Sequence, residues 1–375
     1  MWSEDPVSIE RVAYQSSLPV SRQFAWSCCV RPGMFERLTP PWQGLRTVST
    51  SGTVKPGDRR VMELAVGSVK IHWVAVHEQY DEGRLFTDRQ IRGPFRRWRH
   101  RHLFLDEGES ECRIRDEIEF ALPASPISHP LGLGIARTEL RRLFRYRHFT
   151  TLFDVREHYS LRDRDRRSVH VSGAPIEAVR QLQAFLQIGG HQVGRDDPAQ
   201  ADRRVDRITV SGDYSRGLTA EIVRGDEATG EPRSVKSARI IDPEGSILRA
   251  ARAAQFFDFT DSPLTGKIYE WSTVDDFVAS VHRALVDAND GERRYVQHPE
   301  PFDIEALLDA ASGGAGRTRL GRPHALLVRR LEDELRGSPA GPEAERPRVL
   351  DSSTRFRSLG DALRTMTGNA GRNGR

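Results

Sequence analysis

The stretch "SECRIRDEIEFAL", residues 110–122, alternates without a break. Cys112, Ile114, Asp116, Ile118 and Phe120 fall on one face of a strand and Glu111, Arg113, Arg115, Glu117 and Glu119 on the other, because successive side chains of a strand point to opposite sides. The second face is wholly charged and belongs to solvent. The first must be covered by apolar groups, yet it carries a carboxylate, Asp116, which burial penalises unless a partner bonds it or a proton neutralises it. Two readings stay open: a structural carboxylate paired with a buried Arg or a backbone N–H, and a carboxylate lining a cavity.

The runs around it share the period of two. "VKIHWVAVHEQY" (69–80), "GRLFTDRQI" (83–91) and "RHLFLD" (101–106) read as strands, and "EGE" (107–109) joins the last of them to 110–122 as a hairpin. Helical stretches are expected around "SRQFAWSCCV" (21–30) and "PGMFERL" (32–38). After Pro130, "ARTELRRLFRYRHFTTLFDVREHY" (136–159) repeats Leu140, Phe144, His148 and Leu152 at helical spacing, which predicts a long amphipathic helix closing a β-rich unit.

A charged run, "LRDRDRR" (161–167), reads as a linker. The grammar then changes. "SVHVSGAPIEAVRQLQAFLQIGGHQV" (168–193) reads as a strand, a small-residue turn, an amphipathic helix and a second strand, the opening of a βαβ unit. Short strands ("DRITVSG", "SARIID") alternate with helices ("SILRAARAAQFF", "VDDFVASVHRALVD", "DIEALLDAA", "PHALLVRRLEDEL") beyond it, the pattern of an α/β domain. Residues 224–237 and 337–348 read as loops. Thr273 reads as a helix N-cap, with Asp275 and Asp276 in the first turn of that helix.

A chain of 375 residues has length for two or three domains. Its 57 basic residues nearly balance 53 acidic ones, so the net charge of +4 gives no nucleic-acid footprint. "RGPFRRWRHRH" sets Arg92, Arg96, Arg97, Arg99 and Arg101 around Phe95 and Trp98, but on strands these arginines alternate outward, and no nucleic-acid partner is expected. Cys28, Cys29 and Cys112 form neither a disulfide framework nor a metal motif. With no leader-like N-terminus and no long apolar window, the expected location is the cytoplasm and no membrane span is expected.

"RPGMFERLTPPW" (31–42), "GPFRRWRHRHLF" (93–104) and "DEIEFALP" (116–123) together resemble the START-like (SRPBCC, polyketide cyclase/dehydratase-type) helix-grip domain found fused to one family of epimerase-like short-chain dehydrogenases. "IIDPEGSILRAARAAQFF", "YEWSTVDDFVASVHRALVD" and "STRFRSLGDALRTM" are similar, in that order, to later segments of the family's epimerase-like domain and its C-terminal helical cap. The resemblance implies an α+β helix-grip domain over residues 1–160 with a ligand cavity between sheet and helix. After the linker it implies an α/β Rossmann-like domain over 168–365, shortened between Ser211 and Ser237, and 366–375 read as a disordered tail. The two halves are expected to fold separately.

Ordinary dehydrogenase chemistry is not expected. Of the glycines that let a backbone approach a pyrophosphate only Gly173 remains, a vestigial cofactor-binding residue, while Ile176 and Val179 stand at the other positions and no Tyr-x-x-x-Lys exists in the chain. Asp196 or Asp197 is at the distance for a ribose contact and reads more simply as part of a solvated turn. No cofactor is therefore expected, NAD(P) being the one that the fold could take.

The candidate pocket lies in the first half. Trp73 and His77 share one face of their strand, His100 and His102 one face of theirs, and Asp88 and Asp116 come from neighbouring runs. These six are the expected ligand-binding residues, with Asp116, His100 and His102 the catalytic candidates. No metal is expected, since no third ligand is fixed. Three functions follow: binding of a hydrophobic or aromatic small molecule beside a degenerate epimerase-like domain; cyclisation or dehydration in the helix-grip cavity; and an NAD(P)-dependent epimerase or reductase with an unorthodox site. The residues leave the oligomeric state open.

Overall fold

The computed structural model describes residues 9–40, 43–66, 69–123, 129–194, 205–213, 217–225, 234–237, 262–288 and 292–297. The chain divides between Arg162 and Asp163 into two units. The helices expected at 246–257, 303–311 and 323–335, the loop at 337–348, the C-terminal cap, the tail and Asp196/Asp197 lie outside the described residues.

The first unit is a seven-stranded antiparallel sheet in the order β1-β7-β6-β5-β4-β3-β2. Its strands are β1 (Glu10–Leu18), β2 (Leu45–Ser51), β3 (Arg59–Val66), β4 (Val69–Asp81), β5 (Leu85–Arg92), β6 (Arg97–Asp106) and β7 (Cys112–Ala121). Two short helices, α1 (Arg22–Cys29) and α2 (Met34–Arg37), lie between β1 and β2 in the chain, and α3 (His129–Ser160) follows β7. Ser21 caps α1 by accepting from the Phe24 amide. This is a helix-grip fold: α3 lays Leu140 and Phe144 on a sheet face made of Tyr14, Trp98, Ile118 and Phe120. Tyr14 stacks on Phe144 with centroids 4.9 Å apart.

The strand runs read from the sequence are present, and β1, β2 and β3 are added to them. β7 buries every second residue from Cys112 to Phe120. The outward arginines of β6 meet glutamates: Arg97 reaches Glu119, Arg99 reaches Glu78, and Arg101 reaches Glu117. That cross-strand pairing accounts for the basic run without an external anion.

The second unit carries a six-stranded mixed sheet in the order β12-β13-β11-β10-β8-β9. β8 (Ser168–Gly173), helix α4 (Ile176–Ile188) and β9 (Gln192–Gly194) form the expected strand-helix-strand opening, with β9 and β10 (Asp206–Asp213) both parallel to β8. Further along, β11 (Gly217–Val223) runs antiparallel to β10 and to β13 (Glu292–Gln297), which pairs in parallel with β12 (Ser234–Ser237). Residues 224–237, read as a loop, thus contain a strand. Helix α5 (Ser262–Asp287) starts well before Thr273, so Thr273 is inside the helix and cannot be its N-cap, and Asp275 is buried.

Gly173 has a local explanation. Its φ is +113°, and a Cβ there would sit 1.9 Å from the Val210 carbonyl oxygen, the group to which Ala174 donates at 3.0 Å. The parallel approach of β10 therefore requires glycine whether or not a nucleotide binds. We expect Gly173→Ala to destabilise the second unit by about 2–3 kcal/mol in urea melts. A loss confined to nucleotide binding would contradict this.

Two histidines set the acid limit of the same unit. His191 Nδ1 accepts from the Arg167 amide at 3.1 Å, which leaves Nε2–H to donate to His282 Nε2 at 3.0 Å. Burial first, then the neighbouring arginines, pushes His191 down to about 4, and burial with the adjacent ring pushes His282 well down too. The unfolded chain takes up these protons below about pH 6.5 while the native state refuses them, so stability is full above that pH and falls as the pH drops toward 4. The expected slope is about 1.4 kcal/mol per pH unit for each group, read from urea midpoints at pH 7 and pH 5.

Candidate functional site

Register brings the polar residues of the first unit together. In the antiparallel ladders His77 faces Asp88, Asp88 faces His100, and His102 faces Asp116, so the four strands β4 to β7 deliver one row of side chains to one face. β4 and β5 shift register twice, yet His77 and Asp88 stay opposed. Asp116 Oδ1 lies 2.8 Å from His100 Nε2 and 2.8 Å from His102 Nδ1, and its Oδ2 is 3.0 Å from His148 Nε2 on α3. His148 Nδ1 in turn meets Ser16 Oγ of β1 at 2.7 Å. On the far side of both rings, Asp88 Oδ2 is 3.5 Å from His100 Nδ1 and 3.5 Å from His102 Nε2. Two imidazoles are thus held between two carboxylates.

Packing fixes the rings. His102 stacks on Phe86 at 4.1 Å, His100 meets the edge of Phe144 at 5.2 Å and of Trp98 at 6.2 Å, and the two imidazole centroids are 3.8 Å apart. Access is graded: the side chains are 3% exposed at His100, 12% at Asp116, 16% at Asp88 and 19% at His102. Whatever reaches this cluster from solvent therefore meets His102 and Asp88 first.

The charges follow from these neighbours. Burial opposes ionisation of Asp116, but the His102 charge and bonds from three histidines hold its carboxyl well below the usual range. Burial likewise opposes Asp88, and bonding to His102 with the charges of His100, His102 and His77 holds it at about 2. Burial and the His102 charge push His100 down. Burial also works against His102, and the combined pull of Asp116 and Asp88 raises it above the ordinary histidine value. His77 is pushed down by burial. The cluster thus separates one histidine that favours a charge from two that resist it.

Of the six expected residues, Asp88, His100, His102 and Asp116 form one cluster with His77 beside it. Trp73 belongs instead to the adjoining aromatic group, with Phe95 at 5.8 Å and Trp98 at 5.3 Å. Asp116 is paired, but with histidines and not with the Arg or backbone N–H expected of a structural carboxylate. The reason for expecting no metal also falls, because Asp88, His100 and His102 bring three donor atoms within 4.8 Å of one another. His148 and Ser16 were missed as site residues. The signal for His148 was a polar residue on the apolar stripe of a helix; Ser16 gave none.

No protein-family model and no curated protein matches the chain. Among solved structures, a nucleoside-diphosphate sugar epimerase from Corynebacterium glutamicum is 18% identical with a TM-score of 0.41, over 72% of this chain and 63% of that one. The chain thus spans less than two thirds of that protein's length. An aromatase/cyclase from a Streptomyces species is 10% identical with a TM-score of 0.34, over 40% of this chain and 96% of its own. A norcoclaurine synthase from Thalictrum flavum is 15% identical with a TM-score of 0.33, over 42% of this chain and 99% of its own.

Proposed function

We propose that the first unit binds a hydrophobic or aromatic small molecule between its sheet and α3. One observation carries this reading: Trp73 Nε1 and His77 Nδ1, four residues apart on β4, are buried with no hydrogen-bond partner, the first beside Phe95 and Trp98 and the second beside Phe86. An unmade buried bond costs about 1–3 kcal/mol, so an occupant with polar atoms on an aromatic frame recovers energy at both ends. Titration of a hydroxylated naphthalene against intrinsic tryptophan fluorescence tests it. Trp73→Phe and His77→Phe keep the rings and remove these polar atoms, and each should weaken binding about tenfold, or about 1.4 kcal/mol. Unchanged binding in both variants places the occupant elsewhere.

A second reading, cyclisation or dehydration in the same space, is favoured by the chain from Ser16 through His148 and Asp116 to His102. It ends in a histidine reachable from solvent and able to hand a proton to a bound carbonyl or hydroxyl. Asp116 would position that histidine. Conversion of the bound probe, followed by mass spectrometry, separates reaction from binding.

The second unit is, in this proposal, a shortened Rossmann-like domain that is catalytically degenerate, the remnant of an epimerase-like fusion. Ile176 is exposed at the first position of α4, where the family's resemblance asks for glycine, and Gly173 serves the strand pairing. Together with the missing Tyr-x-x-x-Lys this argues against an NAD(P)-dependent epimerase or reductase. NADH and NADPH are expected to show no dissociation constant at or below about 10 μM, roughly −7 kcal/mol, by calorimetry. Tighter binding overturns this part of the proposal.

A further inference from the structure

We propose that Asp88, His100 and His102 form a binding site for a divalent first-row transition metal, with Asp116 as the outer carboxylate that orients both imidazoles. The argument begins with hydrogen atoms. Asp116 Oδ1, an acceptor, is 2.8 Å from His100 Nε2 and 2.8 Å from His102 Nδ1, so both of those nitrogens donate. In neutral rings the opposite nitrogens, His100 Nδ1 and His102 Nε2, then present lone pairs. Both point toward Asp88 Oδ2, another acceptor, at 3.5 Å. Three lone pairs would repel at this range, so a cation stands among them, either a second proton on His102 or a metal ion.

The spacing suits a metal. Donors bound to one tetrahedral zinc at about 2.1 Å stand about 3.4 Å apart, close to the two 3.5 Å separations, and all three donor atoms lie within 4.8 Å of one another. Two imidazoles and a carboxylate select a transition ion over magnesium or calcium. Histidine ligands ordinarily donate their second ring nitrogen to a carboxylate, and Asp116 accepts from both here. The stacked and edge-on aromatic rings hold the imidazoles at that angle. Solvent reaches the site on the side of His102 and Asp88, which leaves room for a water or an oxygen atom of a bound molecule. The site goes beyond the small-molecule reading and stands without it, since the naphthalene titration needs no metal.

Equilibrium dialysis of the chelator-stripped full chain against Zn2+ and Co2+ alone tests it. The expected result is one ion per chain, with visible ligand-field bands in the Co2+ form. His102→Ala and Asp88→Asn should weaken binding at least a hundredfold, and Asp116→Asn about tenfold. Absence of stoichiometric binding by the folded wild type overturns the proposal, a proton on His102 being then the cation that the cluster holds. Unaltered affinity in folded His102→Ala and Asp88→Asn chains overturns it equally. Should those variants not fold, the wild-type imidazole resonances decide: Zn2+-induced shifts confined to His100 and His102 support the site, and shifts only elsewhere reject it.

Discussion

Asp154→Ala is expected to destabilise the first unit by about 3–5 kcal/mol, a fall of roughly 10 °C in melting temperature. Arg37 on α2 and Asp154 on α3 are both without exposed side-chain surface, and they meet in a two-pronged pair, Nε to Oδ2 at 2.9 Å and Nη2 to Oδ1 at 2.6 Å. The Arg37 carbonyl accepts from the Tyr146 hydroxyl at 2.9 Å, so the same residue ties α2 to α3 twice. Removing the carboxylate takes away the counter-charge of a guanidinium with no solvent exposure, and that loss of charge compensation accounts for most of the cost. Arg37→Met should cost as much by removing the counter-charge of the buried Asp154. The double variant Arg37→Met/Asp154→Leu should recover much of the loss, because the pair contributes little net stability over apolar groups that fill the same volume. Chemical denaturation of the four chains measures this directly. A single-variant loss under about 1 kcal/mol means that water reaches the pair.

Nothing in the chain announces that pair. Arg37 sits in "GMFERL" and Asp154 in "TLFDVREHY", both ordinary charged positions on helices, and 117 residues separate them. Strand periodicity carries more. Asp116, His100 and His102 were readable as inward-facing because a period of two assigns each residue to a face, and the hairpin at 107–109 fixes which strands are neighbours. Which atoms meet was not readable, since that depends on register across four strands. His148 arrives from a helix beyond them, and a helical stripe with one polar member does not show whose carboxylate it will meet. In the second unit β11 is not legible because "GLTAEIV" lies between Ser211 and Ser237, where the resemblance implies a shortened domain, and its pairing with β10 shows only in the register of the sheet. Thr273 misled for a local reason: a cap signal in mid-chain is overridden when apolar positions on both sides keep helical phase.

Asp116 distinguishes a site from a structural prop, and its two replacements should behave differently. Asp116→Ala removes the acceptor that His100 Nε2 and His102 Nδ1 share, and leaves a small void in the row of β7 side chains. Two buried donors without partners, with the void, should cost about 3–5 kcal/mol. Asp116→Asn keeps the size and an amide oxygen that still accepts from both rings. Its amide nitrogen faces His148 Nε2, which becomes an acceptor once the ring moves its proton to Nδ1, and the Ser16 hydroxyl can turn to accept that proton. The partners are imidazoles, which keep their bonds to a weaker, neutral acceptor and can shed a proton where a guanidinium cannot, so the asparagine should cost only about 1–2 kcal/mol. Function should suffer although the fold is largely kept: without the carboxylate the two rings lose the charge that orients them, and the naphthalene probe should bind about tenfold more weakly, a change of about 1.4 kcal/mol. Thermal melts and probe titrations on the same three chains separate the outcomes. If the asparagine chain melts as low as the alanine chain and binds the probe like wild type, Asp116 is a structural carboxylate, and the row of histidines is held for the sake of the fold.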